Sequence, residues 1–346
     1  MNAKINIGIV GARGIVGGEL FSILRNHPNA NIKFLFTGDK KSVHKPYISD
    51  NPKFANMTDL NYSDEKWVNR FSRHLDILFL AGKDESADME MVKKIGDKCK
   101  IITIGGAYRL KNTEVFEKTY GVKHTDPDGL ARAVYGMPEL AGQRDKIRNA
   151  DLIANPGCYA TAVTLALAPF DMTNRMRKST VVAISGKTGS GLSLKAEGLF
   201  NNANENVRAY GLGNTHKHFT EVNQNLDLFR HQWDFTPLAG PYERGLMAVC
   251  YVPVGSSRSD WPDFHGYYKD SPFVNIYKKG VPELKPTAGT NRVDIGYEQN
   301  DITQTMTVIC VIDNLVKGAA GQAVQNMNLM MGLKETAGLI GGRKIR

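Results

Sequence analysis

Two short segments of this 346-residue chain carry the residue types that nucleophilic chemistry needs. Asn155-Pro156-Gly157-Cys158-Tyr159-Ala160-Thr161 reads as a strand end, a Pro-Gly turn and the start of a helix of small and apolar residues. A cysteine in a helix's first turn meets N–H groups without intrahelical acceptors and the positive end of the helix dipole. Both stabilise a thiolate and would make Cys158 a nucleophile near neutral pH. The bland alternative is a buried structural thiol, the better account of Cys99, Cys250 and Cys310, which lie in or beside predicted strands. A nucleophilic thiol also needs a proton acceptor. His216-Lys217-His218-Phe219-Thr220-Glu221 offers two imidazoles and a carboxylate within six residues, and histidine titrates close enough to neutrality to serve as acid and base. The same pair could be a surface cluster or half of a zinc site. No His-Glu-x-x-His motif and no Cys-x-x-Cys pair supplies further ligands, so no metal is expected.

A third segment binds rather than reacts. Gly8-Ile9-Val10-Gly11-Ala12-Arg13-Gly14-Ile15-Val16-Gly17 follows a predicted first strand and opens an amphipathic helix. In that context Gly11 permits a tight turn, Gly14 lets the backbone approach a pyrophosphate, and Gly17 allows close helix–strand packing. The spacing is G-x-x-G-x-x-G rather than the usual G-x-G-x-x-G of dinucleotide enzymes, and a plain structural turn is the competing reading. After the second strand comes Thr37-Gly38-Asp39-Lys40-Lys41-Ser42, where the signals conflict. Asp39 could bind a ribose 2′-hydroxyl, whereas Lys40, Lys41 and Ser42 could hold a 2′-phosphate, and the two lysines favour NADP(H) over a merely solvated turn.

Ser185-Gly186-Lys187-Thr188-Gly189-Ser190-Gly191 imitates the end of a phosphate-binding P-loop, but Val181 stands where the loop's first glycine belongs. A glycine and hydroxyl turn after a strand can still present backbone N–H groups to an anion. Arg109 and Arg244 could each clamp a carboxylate or phosphate, although a surface salt bridge is the commoner use of a lone arginine.

The elements that must position these residues follow from pattern. Length corresponds to about two domains. Up to about residue 155, short runs at Ile5–Val10, Ile32–Phe36, Asp76–Ala81, Lys100–Ile104 and Leu152–Ala154 alternate with amphipathic stretches, which predicts a doubly wound parallel sheet. From about Ser179 longer alternating runs at Thr180–Ser185, Leu246–Val254, Phe273–Tyr277, Arg292–Gly296 and Gln304–Ile312 predict an antiparallel or mixed sheet in an α+β domain. Loops at 255–263 and 280–291 separate them, and 315–333 returns to helical periodicity.

Composition excludes several classes. Hydrophobic residues make up 42% and charged residues 23%, with no apolar run of membrane-spanning length. The formal charge of +9 is spread without any basic block of the kind that marks a nucleic-acid surface, and suits polyanionic small molecules instead. Four scattered cysteines make no disulfide framework, which fits a reducing cytoplasm. Met1-Asn2-Ala3-Lys4 runs straight into a short apolar stretch and a glycine turn without signal-peptide features, so the mature protein is expected to start there.

Taken in order, these segments resemble the N-acetyl-γ-glutamyl-phosphate reductases of arginine biosynthesis, with aspartate-semialdehyde dehydrogenase a wider relative. The residues carrying the resemblance are Gly8 to Gly17, Ala133-Val134-Tyr135-Gly136-Met137-Pro138-Glu139-Leu140, Asn155 to Thr161, Ser185 to Gly191, His216 to Glu221, and Val311 to Met330. Asn155 to Thr161 and Asp313 to Asn328 are the most specific.

The resemblance implies an NADPH-dependent oxidoreductase of the cytoplasm that reduces an acyl phosphate to a semialdehyde through a Cys158 thioester. His218, with His216 close behind, would move the proton. Gly11, Arg13, Gly14, Ile15, Val16, Gly17, Thr37, Lys40, Lys41, Ser42, Ser185, Gly186, Gly189 and Asn314 would hold NADP(H), and Arg109, Asn155, Glu221 and Arg244 the substrate. It also implies a Rossmann-type cofactor domain over 1–155 completed by a C-terminal helix over 318–346, a catalytic and oligomerisation domain over 156–317, and a homodimer or homotetramer.

Two departures bear on substrate. Thr103-Ile104-Gly105-Gly106-Ala107-Tyr108-Arg109 stands where the family commonly has Asp-Leu-Ser-Ala-Asp-Phe-Arg. Lys187 adds a charge that would suit an N-succinyl group, or an aminoadipyl group on an acidic carrier protein. A nucleotide-sensing regulator without catalysis is the non-enzymatic alternative, against which Cys158 and the two histidines speak.

Overall fold

The computed structural model describes residues 4–82, 84–170, 179–190, 206–227, 233–255 and 261–340. Met1 to Ala3, Gly191, part of the expected 255–263 loop and residues 341–346 of the expected C-terminal helix lie outside them. The chain divides into two compact units, Met1–Pro156 with Ala320–Leu339, and Gly157–Ala319 with Ile340–Arg346.

The first unit is built on strands β1 (Ile5–Val10), β2 (Ala30–Thr37), β3 (Tyr62–Asp64), β4 (Ile77–Leu80), β5 (Lys100–Thr103), β6 (Val134–Tyr135) and β7 (Leu152–Ala154). They pair in parallel in the order β3-β2-β1-β4-β5-β7-β6. Because successive strand residues point to opposite faces, the apolar runs feed two cores. Ile7, Ile9, Ile77, Phe79, Ile102 and Ile153 pack on one side with Leu20, Phe21 and Leu24 of helix α1 (Ile15–Leu24). Val10, Leu78, Leu80, Ile101 and Leu152 pack on the other with Met89, Val92 and Ile95 of a helix on that face. This is the doubly wound architecture expected from continuous apolar strands.

Helices α2 (Val68–Phe71), α3 (Glu85–Ile95), α4 (Thr113–Tyr120), α5 (Pro127–Arg132) and α6 (Gln143–Arg148) belong to this unit, and α7 (Cys158–Leu167), α8 (Lys217–Asn225) and α9 (Phe264–Tyr267) to the second. Helices α3, α4 and α5 carry their own caps. Asp84, Asn112 and Asp126 accept from the N–H groups of Ala87, Val115 and Gly129, the standard way to satisfy a first turn.

The expected C-terminal helix is shorter than its sequence suggests. A π-helical turn over Val316–Ala320 precedes α10 (Gly321–Met330), and Gly332, with φ of +65°, stands just past its end. Helix α10 belongs to the first unit and joins the α1 core through Ala323, Val324 and Met327. Its polar residues are buried and paired. Asn326 Nδ2 donates to Gly136 O at 2.8 Å and to Asn155 Oδ1 at 3.0 Å, and Gln322 Nε2 donates to Gly136 O at 3.1 Å. Gly136 has no side chain because the Asn326 amide fills the space a Cβ would take.

The second unit is a mixed sheet of β8 (Ser179–Ser185), β9 (Arg208–Ala209), β10 (Trp233–Ala239), β11 (Leu246–Pro253), β12 (Val274–Ile276), β13 (Val293–Asn300) and β14 (Thr305–Ile312). Its order is β12-β13-β14-β11-β8-β10-β9. Strand β10 is not among the runs read from the sequence. It pairs in parallel with β8, and Pro237, which breaks the usual strand pattern, lies opposite Ala183. Every residue of α7 is buried, and the helix packs on β11, β14 and α8. A helix apolar on all sides has to be a core element, which is why its end is fixed in place.

Replacing Asn326 with Ala removes two bonds to buried acceptors, and denaturant unfolding is expected to show a loss of about 1–3 kcal/mol. A change under about 0.5 kcal/mol would contradict the pairing.

Candidate active site

In the first unit the glycine turn forms as its spacing requires. Gly11 has φ of +73°, and a Cβ there would lie 2.8 Å from Ala81 O. Gly14 N donates to Gly11 O at 2.9 Å, and a methyl group on Gly17 would strike Gly11 O. No side chain caps α1 and no acid sits in its first turn, so no side chain of the turn offsets the positive end of its dipole. This glycine-lined, uncapped cradle fits the pyrophosphate of a dinucleotide.

The turn after β2 resolves the conflict between Asp39 and its neighbours. Asp39 accepts from Lys41 N at 3.0 Å, from Ser42 Oγ at 2.9 Å and from Arg13 Nη1 at 2.5 Å. These bonds hold its carboxyl below the usual carboxylate range, with the Lys41 N–H the largest cause. Arg13 also reaches Asp50 at 3.0 Å. Asp39 is therefore the keystone of its own turn, Ser42 is buried and donates to it, and Lys40 and Lys41 are exposed around it.

In the second unit Cys158 is the first residue of α7, following Gly157 in extended conformation (φ −78°, ψ 151°), with no side chain of its own turn acting as cap. Glu221, fully buried on α8, reaches across 64 residues to accept the Gly157 N–H at 2.8 Å. On another side Gly318 of the π-helical turn approaches Cys158 closely, since a Cβ there would lie 2.7 Å from Cys158 Cβ. Neither contact was read from the sequence. The glycine after Lys317 was the only available sign of the second. Burial pushes the Cys99 thiol up to about 12, and raises Cys250 and Cys310 as well, as inert thiols require.

The two histidines differ. His216 caps α8, its Nδ1 accepting the His218 N–H at 3.2 Å. Its ring lies 4.8 Å from His218, 5.3 Å from Tyr159 and 5.7 Å from Phe235 between centroids. Burial, then the charge of Lys217, lowers its pKa from 6.5 to about 4. His218 is buried one turn before Glu221, on the same face of α8, with its ring 6.0 Å from that of Tyr159. Tyr159 itself is tied down, donating to Leu238 O at 2.7 Å.

Other expected contacts are spent within the fold. The N–H groups of the 186–189 turn do not face outward. Gly186 N donates to Gly245 O at 2.9 Å, Lys187 N to Tyr242 O at 2.8 Å, Thr188 N to Glu243 O at 3.3 Å and Gly189 N to Gly186 O at 2.9 Å. Asn314 bridges the same loops, accepting from Gly245 N at 2.7 Å and donating to Thr188 Oγ1 at 2.9 Å. Lys187 is paired with Glu243 at 3.8 Å, which offsets the charge that argued for a more acidic acyl group. Arg244 pairs with buried Asp313 at 3.2 Å.

Arg109 is buried rather than on the surface, donating to Asn155 O at 2.8 Å and Ile104 O at 2.6 Å in the first unit, and Asn155 Oδ1 accepts from Asn326. Among the described residues no three His, Cys, Asp or Glu side chains gather as a metal centre would need. No helix there is long and apolar enough to cross a membrane.

Comparison with known proteins places this geometry in a class. Residues 6–150 match the family described as semialdehyde dehydrogenase, NAD binding domain, and residues 158–314 the semialdehyde dehydrogenase, dimerisation domain. The fold is that of aspartate semialdehyde dehydrogenase II from Vibrio cholerae, with TM-score 0.70 and 17% identity over 95% of this chain and 99% of that one. The aspartate semialdehyde dehydrogenase with NADP from Candida albicans gives TM-score 0.70 at 13% identity, over 95% of this chain and 99% of that one.

Sequence relatives are nearer. The N-acetyl-gamma-glutamyl-phosphate reductase of Alkaliphilus metalliredigens is 37% identical over 346 residues, covering 97% of this chain and 98% of its own. That of Vesicomyosocius okutanii is 37% identical over 341 residues, with the same coverage of 97% and 98%. The chain belongs to the N-acetyl-gamma-glutamyl-phosphate reductase family.

Two outcomes follow from this geometry. Between pH 6.5 and about 4 the unfolded chain binds a proton at position 216 that the folded chain does not, so stability falls as pH drops through that window. His216→Asn keeps a capping side chain, and its melting temperature should decline less than the wild type's over the same range. Equal declines would refute the assignment. Gly318→Ala should slow alkylation of Cys158 by iodoacetamide at least ~10-fold with the fold retained, because the added methyl must displace the nucleophile; an unchanged rate would show that the contact is immaterial.

Proposed function

We propose that the protein catalyses the NADPH-dependent reduction of N-acetyl-γ-glutamyl phosphate to N-acetyl-glutamate 5-semialdehyde and phosphate. The observation that carries this reading is Cys158 in the first turn of a wholly buried helix, in a chain 37% identical to reductases of that name over 97% of its length. The first unit would hold the dinucleotide and the second would supply the nucleophile.

In this reading Gly11, Gly14 and the first turn of α1, with Ile15, Val16 and Gly17, hold the pyrophosphate. Asp39 is occupied by Ser42, Lys41 N–H and Arg13 and has little left for a ribose hydroxyl, whereas the exposed Lys40 and Lys41 supply positive charge for a 2′-phosphate. That balance supports NADP(H) over NAD(H). When bound, the nicotinamide supplies the hydride that takes the acyl group to the aldehyde level.

The chemistry of the chain's own residues begins at sulfur. Cys158 Sγ bonds to the acyl carbon, the bond from that carbon to the phosphate oxygen breaks, and phosphate leaves with its electron pair. His218 takes the thiol proton as the bond forms and returns a proton as the aldehyde departs and the thiol is restored. His216 is unsuited to that exchange because it is neutral down to about pH 4 and its Nδ1 is occupied by the His218 N–H. The paired charge of Lys187 and the names of the relatives support the acetylated substrate over succinylated or carrier-linked ones.

A homodimer through the mixed sheet accompanies this reading. Val182, Ile184, Met247, Val249 and Ile309 stay partly exposed along one face, in the region matching the dimerisation domain. A cytoplasmic location suits an enzyme whose four cysteines form no disulfide.

Purified protein given N-acetyl-glutamate semialdehyde, phosphate and NADP should form NADPH, and Cys158→Ala should lower kcat at least ~1,000-fold. A Cys158→Ala enzyme within about 10-fold of wild type would overturn the mechanism. Faster turnover of the N-succinyl substrate would move the assignment to another acyl group.

A further inference from the structure

We infer that Glu221 is a positioning residue rather than a substrate ligand: its carboxylate fixes the start of the nucleophile's helix and its negative charge sets the acidity of Cys158. The inference rests on the reading of Cys158 as nucleophile given above.

Three observations support it. Glu221 is fully buried, and Oε1 takes the Gly157 N–H at 2.8 Å, a group that would otherwise be left over at the helix start. Helix α7 has neither a side-chain cap at Gly157 nor an acid in its first turn, so the anchor comes from α8 instead. Glu221 also lies one turn after His218 on the same face of α8, and α8 packs on α7. One side chain thus links the helix that carries the thiol to the helix that carries the imidazole.

The chemical consequence concerns charge. The N-terminus of α7 favours a thiolate, while a carboxylate bonded to the residue before Cys158 opposes it. Replacing the carboxylate with an amide of the same shape removes that opposition and leaves the bond to Gly157 N–H in place.

The test compares wild type, Glu221→Gln and Glu221→Ala in the full chain. The rate of Cys158 alkylation by iodoacetamide is followed against pH by peptide mass spectrometry, alongside KM and kcat for N-acetyl-glutamate semialdehyde. The Gln variant keeps an oxygen for the Gly157 N–H but loses the charge. Its alkylation midpoint should move about 1 pH unit lower while KM stays within about 3-fold. The Ala variant should lose at least ~10-fold in kcat as the helix start loosens. An unmoved midpoint in Glu221→Gln, whether or not KM rises, would overturn the inference, and a KM rise of ~10-fold or more with it would make Glu221 a substrate ligand. The alkylation readout does not require turnover, so a failed activity assay would count against the proposed reaction and leave this result standing.

Discussion

The bond from Gly157 N–H to Glu221 Oε1, at 2.8 Å, ties down the backbone immediately before Cys158. Helix α7 is buried along its whole length and cannot shift as a surface helix can, so its N-terminus is defined by whatever grips it. Glu221 grips the backbone before Cys158, and Gly318 closes against the side chain from the π-helical turn. Both contacts join segments far apart in sequence, and both would be lost with a change of one residue. The reactivity proposed for Cys158 therefore depends on packing as much as on the cysteine itself.

A contrast between helices gives the same conclusion for the first unit. Helices α3, α4 and α5 satisfy their first turns with Asp84, Asn112 and Asp126. Helices α1 and α7, which open on Gly14 and Gly157, have no such cap. Leaving a helix start unsatisfied costs stability unless something else binds there. In α7 the partner is Glu221, and in α1 the glycine cradle is shaped for an anionic ligand.

Much of this was legible in sequence. The parallel strands of the first unit announced themselves because strands buried on both faces read as unbroken apolar runs, as at Ile77 to Leu80. Gly11 and Gly17 were identifiable because one needs positive φ and the other forbids a Cβ, and both requirements hold. Cys158 stood out through its Pro-Gly turn. What stayed hidden was the destination of polar side chains. Nothing in the local pattern shows that Arg109 turns inward to two carbonyls, that the 186–189 N–H groups pair with the 242–245 loop, or that His216 caps its own helix. The Arg109 bonds depend on burial, the loop pairing joins segments far apart in sequence, and histidine is not among the common capping residues, while the place of β10 is set by its pairing with β8.

The central claim is that Cys158 carries the acyl group. Mixing the protein with N-acetyl-γ-glutamyl phosphate in the absence of dinucleotide, then quenching in acid and mapping peptides by mass spectrometry, tests it directly. The account predicts an N-acetylglutamyl adduct on the peptide containing Cys158, with release of one equivalent of phosphate and no adduct in Cys158→Ala. Phosphate release without an adduct at Cys158, or an adduct on another residue, would contradict it.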